Sequence, residues 1–220
     1  MKRLVCFSSL LIACAPALAQ APSPDPDSVS PHTYASDLGF SYVLPSDWEV
    51  VDVQASLASR KQQAAQSATT DEEKKGLACV QLALTAHHGN PTSAVVEVAL
   101  PFDCFGQQAS ESDLPGFASA ASEGMKESFD VKDAVHATYS LGTHHMWIER
   151  VTGTIKEQPG IPPYTIEVAC GLLKKAAVCW MTLAADSAAL QVFEKGDVTL
   201  DGDAPVALVP STAFDKKPAS

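Results

Sequence analysis

The segment from Tyr164 to Ala184 constrains the fold more than any other part of the chain. It is two apolar runs on either side of Lys174-Lys175. Folded about that pair, Ile166 faces Leu183, Val168 faces Met181 and Cys170 faces Cys179. Side chains alternate along a strand, so these six share one face. The opposite face carries Thr165, Glu167, Ala169, Val178, Trp180 and Thr182. A slip of one residue would set apolar residues against polar ones. Counted outward from a two-residue loop, Cys170 and Cys179 fall at a non-hydrogen-bonded pair. Cα atoms stand about 4.5 Å apart there, the short end of what a disulfide accepts. The alternative is two buried free thiols.

The compartment bears on that choice. Lys2 and Arg3 precede the uncharged run from Leu4 to Ala13, and Ala17-Leu18-Ala19 follows Pro16. This is the pattern of a cleaved secretory leader over residues 1–19. The apolar run is shorter than the roughly 20 residues needed to span a bilayer, and charges or prolines interrupt every later one, so no transmembrane segment is expected. Leu11-Ile12-Ala13-Cys14 also resembles a bacterial lipobox. Lipidation at Cys14 would anchor the protein to a membrane surface, an alternative to free export as a periplasmic or secreted protein.

Cys6 and Cys14 lie in the leader, which leaves Cys79, Cys104, Cys170 and Cys179. An even number of cysteines in an exported chain reads as a disulfide framework. With Cys170 and Cys179 paired, Cys79 and Cys104 form the second bridge. They bracket a hairpin centred near Gly89-Asn90, so their strands are expected to be neighbours. The formal charge is −11; without Lys2 and Arg3 it becomes −13. That balance disfavours nucleic acid and anionic membrane, which need clustered Lys and Arg.

Four prolines mark residues 20–32 as a disordered tether, residues 33–214 as a single domain and 215–220 as a frayed tail. Residues 39–45 and 48–51 read as strands, 54–66 as a helix and 64–75 as a polar loop. Leu77 to Ala86 alternates, with Val80, Leu82 and Leu84 on one face. His87 to Pro91 reads as a turn and Ser93 to Leu100 as a strand. Ser112 is a fair N-cap for a helix whose apolar face is Leu114, Phe117, Ala118, Ala121, Met125 and Phe129. Residues 134–140 and 146–155 read as strands. Asp186 or Ser187 caps a short helix with Leu190 and Phe193, and 198–208 is extended. Strands in adjacent pairs with helices between them argue for an α+β fold, an antiparallel β-sheet with helices packed on it.

Candidate chemistry is sparse. His87-His88 and His144-His145 sit at or beside turns, and two such pairs brought together would suit zinc or copper. Adjacent strand residues point to opposite faces, however, so an extended pair offers one ligand, and polar turn residues are the plainer reading. There is no nucleophile elbow and no phosphate-cradling glycine run. Asp47, Glu49 and Glu149 are carboxylates available for acid/base work. Trp147 and Trp180 fall on neighbouring predicted strands, either as core or as an aromatic-lined ligand groove. No catalytic residue and no cofactor is expected.

Phe40-Ser41-Tyr42-Val43-Leu44-Pro45 followed by Trp48 resembles the opening of PsbP-like and LpqN-like exported domains. The resemblance implies an α/β/α sandwich with an antiparallel sheet and a binding or assembly-assisting role. It carries over no catalytic residue.

The resulting expectation is a noncatalytic exported domain, stabilised by two disulfides, that binds a protein or small ligand. The alternative is an extracytoplasmic, hydrolase-like enzyme with a site assembled from distant residues. A lesser one is a structural envelope protein held by lipidated Cys14.

Overall fold

The computed structural model describes residues 32–51, 70–90, 92–106, 108–126, 128–132, 135–156, 160–186, 188–190, 197–203 and 209–210. The leader with Cys14, the expected helix over 54–66, Phe193 and the tail lie outside them.

The hairpin is the centre of the fold. Strands β9 (Tyr164–Leu172) and β10 (Ala176–Ala184) pair antiparallel with Cys170 opposite Cys179, Val168 opposite Met181 and Ile166 opposite Leu183. Leu173 N–H donates to the Ala176 carbonyl across the two-lysine loop. The register follows from burial. Both faces of these strands are covered, so a slip would move every side chain to the wrong layer.

Strand β5 (Ser93–Pro101) flanks β10, and β8 (His144–Ile155) flanks β9. Outward lie β4 (Gln81–His88) and β3 (Glu49–Val50) on one side. On the other lie β7 (Val135–Leu141), β12 (Val209–Pro210) and β6 (Phe129–Val131), the last also pairing with β8. Among the described residues this makes a nine-stranded antiparallel sheet. A Cβ at Gly171 would stand 2.3 Å from the Met146 sulfur on β8, so the buried methionine side chain would have to shift to accept one.

Face one packs under helix α3 (Leu114–Met125). Leu114, Phe117, Ala118 and Ala121 meet Val96, Val98, Val168, Cys170, Cys179 and Met181. Face two packs under a separate sheet of β1 (His32–Ala35), β2 (Phe40–Leu44) and β11 (Asp197–Leu200), in the order β1-β2-β11. Phe40, Tyr42, Leu44, Val198 and Leu200 meet Val95, Ile148, Ala169, Val178 and Trp180 there. Residues 188–190 are helical, with Asp186 Oδ1 accepting the Ala189 N–H, and Ala189 and Leu190 pack into the same layer. The architecture is α+β, an antiparallel sheet with helices packed on it.

Several local expectations change. Strand 40–44 pairs with β1 and β11 and not with the strand that follows it, because its alternating buried residues cover face two. Residues 71–79 form helix α1 (Asp71–Cys79) where a loop was expected at its start and a strand at its end. Its Glu and Lys residues are good helix formers. A register shift between Leu82 and Leu84 sends Leu82 to face one and Leu84 to face two, so Val80, Leu82 and Leu84 do not share a face. Ser110, not Ser112, caps the start of the helical segment. It forms a capping box with Asp113 at the 3₁₀ turn Glu111–Asp113. Phe129 begins β6 beyond the helix and packs with Val151, Tyr164 and Ile166.

The small sheet is tied down at one end. Asp201 (φ 53°) accepts the Lys174 N–H through both carboxylate oxygens, at 3.0 and 3.2 Å. Its N–H donates to Gly39, whose φ of 111° suits glycine.

Candidate functional site

Face two carries buried acids with unpartnered oxygens, whereas the buried acid of face one, Glu149, lies beside His136. Strand β5 is buried at every position, yet it contains Glu97. The register places Glu97 between Trp180 on β10 and Leu84 on β4, under the small sheet. Glu97 is 0% exposed, and neither carboxylate oxygen has a hydrogen-bond partner. Burial pushes its carboxyl well above the usual carboxylate range, because an ion there would lose its hydration without compensation. The neutral acid is therefore the favoured form.

Tyr42 comes from the central strand of the small sheet and is 0% exposed, with no partner for its hydroxyl. Desolvation, then the nearby Glu97, push that hydroxyl far up. Tyr34 faces Tyr42 across the β1–β2 ladder and is only half-buried. Its hydroxyl is raised by desolvation first, then by Glu97 and Asp37, against a hydrogen bond with Ser36. Tyr34 and Phe40 stack at 5.6 Å, and Phe40 meets Trp180 edge-on at 5.9 Å. The result is a sealed carboxyl among aromatic rings.

One row along the same face, Arg150 Nε donates to Glu167 Oε2. Glu167 is 1% exposed, and its other oxygen has no hydrogen bond. Desolvation raises its carboxyl, partly offset by the Arg150 charge and hydrogen bond. Neither glutamate was singled out from the sequence. The signal for Glu97 was legible in principle: a lone acid inside an otherwise apolar alternating run.

The residues singled out from the sequence are dispersed. His87 lies 3.7 Å from Glu49, and His88 donates from Nδ1 to the Asp47 carbonyl at 2.8 Å. Both end strand β4, and the turn proper begins at Gly89. His144 donates from Nδ1 to Leu172 O at 2.8 Å and presents Nε2 to Asp201 at 3.6 Å. His145 donates from Nδ1 to Glu111 at 2.8 Å. The two pairs lie at opposite ends of the sheet and four strands apart. That is about 19 Å of lateral separation alone, so they do not form one metal site. Among the described residues no group of three or more His, Cys, Asp or Glu side chains is placed to hold a metal. Glu149 lies 3.8 Å from His136, which tilts against Trp147 at 5.3 Å. Glu149 is on β8 and Asp47 and Glu49 are at the β3 edge, so Glu149 forms no acid/base pair with either.

Trp147 and Trp180 do not line one groove. Trp147 faces Cys170 and packs on face one, while Trp180 is 1% exposed on face two. Strand β9 lies between theirs, so the two strands are not neighbours. Both disulfides are present. Cys170–Cys179 has a Cα separation of 4.1 Å across its strand pair. Cys79–Cys104 has 5.5 Å but joins two helices, α1 and α2 (Phe102–Phe105), where neighbouring strands were expected. The hairpin between them still brings the ends together, with Gln81 opposite Ala99. Among the described residues no helix is long and apolar enough to cross a membrane.

No family model and no curated protein matches this chain. Among solved structures it is similar to the solution structure of cyanobacterial PsbP (CyanoP) from Synechocystis sp. PCC 6803. Identity is 9%, the match covers 78% of this chain and 90% of that one, and the TM-score is 0.43. A likeness at that level says nothing of function.

Proposed function

We propose that this chain is an exported, noncatalytic binding domain held rigid by two disulfides. The observation that carries the reading is where the perturbed acids lie. Glu97 and Glu167 are 0% and 1% exposed, so neither stands at a solvent-facing site ready to act as acid or base on a substrate. Asp47, Glu49 and Glu111 are exposed and each lies beside a single histidine, while Glu149 is buried beside His136. Catalysis needs acid, base or nucleophile within hydrogen-bond reach of one reacting centre. Two disulfides fit an oxidising extracytoplasmic compartment, either the periplasm or the medium.

Cross-linked pull-down of the native protein from its envelope fraction tests the reading, with mass analysis of the mature N-terminus. The expected result is a specific captured partner and an N-terminus at Gln20. A lipid-modified Cys14 would replace free export with anchoring. Turnover of aryl ester, phosphate or glycoside substrates that disappears in Glu149→Gln would overturn the noncatalytic reading in favour of a hydrolase.

A further inference from the structure

A fully buried carboxyl with neither oxygen hydrogen-bonded weakens a fold and adds no packing that a methionine would not supply. Buried groups left without partners call for an explanation, and a strongly perturbed buried acid marks a candidate functional site. Glu97 is such a group, and the Tyr42 hydroxyl above it is another. Both sit between two sheets, where a layer can be parted without breaking either ladder.

We propose that Glu97, between the small sheet and face two, binds a small organic cation such as an alkylammonium or quaternary ammonium group once the Tyr34 ring moves aside. This deepens the noncatalytic binding reading and rests on it. The Glu97 carboxylate supplies the counter-charge. Tyr34, Phe40, Tyr42 and Trp180 supply the rings, and ring faces attract cations most strongly when water is excluded. A metal ion would need several oxygen ligands, whereas this site offers one carboxylate among rings. The acidic chain, with a pI near 4.8, raises the local concentration of cations.

Tyr34 is the gate. It lies on edge strand β1, is half-buried, and stands close enough to Glu97 to feel its charge. Swinging its ring outward supplies both a path and room while the β1–β2 ladder stays intact. The cation pairs with the ionised carboxylate, so binding sends the Glu97 proton to solvent. Affinity then rises about tenfold per pH unit for as long as free Glu97 is protonated.

Tetramethylammonium and butylammonium chlorides titrated into the mature, oxidised protein test this. Tryptophan fluorescence and calorimetry in two buffers of different ionisation heat give binding and proton release. Sodium chloride and tert-butanol are the controls. Saturable binding with proton release is expected, weakened at least about tenfold in Glu97→Gln, since one tenfold step is a modest charge-pair energy. Glu97→Gln keeps the shape and stays folded, and Tyr34→Ala is expected to speed association. Three results would each overturn the site: no saturable binding, equal binding by Glu97→Gln, or equal binding of tert-butanol. A partner captured from the envelope would survive any of them, so the two readings fail separately.

Discussion

The two faces of the large sheet are made by the same strands and do different things. Face one alternates Val96, Val98, Val168, Cys170, Cys179 and Met181 under an apolar helix. Face two takes the intervening positions and includes Glu97, Glu167, Arg150 and Thr182. Face one is packed as a stabilising core. Both faces bury polar groups, Thr85 and Glu149 on face one among them. Among the acids of the described residues, however, only those of face two, Glu97 and Glu167, have buried oxygens without a hydrogen-bond partner, at a cost to stability.

The largest effect should come from face one. Leu114 is 0% exposed within the helix–sheet core. Leu114→Ala is expected to cost about 3–4 kcal/mol in chemical denaturation. A loss below about 1 kcal/mol would mean that face one is not the main core.

The next test asks whether the bridge or the alternation sets the hairpin register. Replacing both Cys170 and Cys179 by Ala should lower stability by about 2–3 kcal/mol, as expected for a short disulfide loop. Cross-strand amide contacts should still show Val168 opposite Met181. A shifted register would show that the disulfide, and not face burial, aligns the strands.

Face two should answer in the opposite direction. Glu97→Gln is expected to stabilise by about 1–2 kcal/mol near neutral pH, because it removes a group that must be held neutral. The sign follows from linkage. Glu97 is raised in the folded state, so the folded protein holds the proton more tightly than the unfolded chain. Its contribution is fully present below the ordinary carboxylate range. It is lost as pH rises from there towards the raised folded value, at up to about 1.4 kcal/mol per pH unit. The gap between Glu97→Gln and the parent should therefore be small at low pH and widen towards neutrality in melts across that range. A constant gap would show that Glu97 does not titrate within the fold.

Much of the fold was legible locally. The β9–β10 register could be read because a two-residue loop joins two runs with unambiguous alternation. The helix around Leu114 and Phe117 was legible from its spacing, but not its end, since Phe129 continues the apolar period after the helix stops. The site was much less legible. The histidine pairs and tryptophans drew notice as residue types, and the structure scatters them. Glu97 did not, because nothing near it in sequence says what lies above it.

By itself the sequence determined the alternation along β9 and β10 and the pairing of Cys170 with Cys179. Each rests on interactions between near neighbours, where loop length and period two leave little choice. Only the tertiary structure decided that β11 returns to pair with β2 and that Cys79 and Cys104 join helices. It alone decided that Trp147 and Trp180 lie on opposite faces and that Glu97 is sealed beneath Tyr42. Those outcomes depend on which layer covers which face, and that is settled by burial between segments more than a hundred residues apart in the case of β2 and β11.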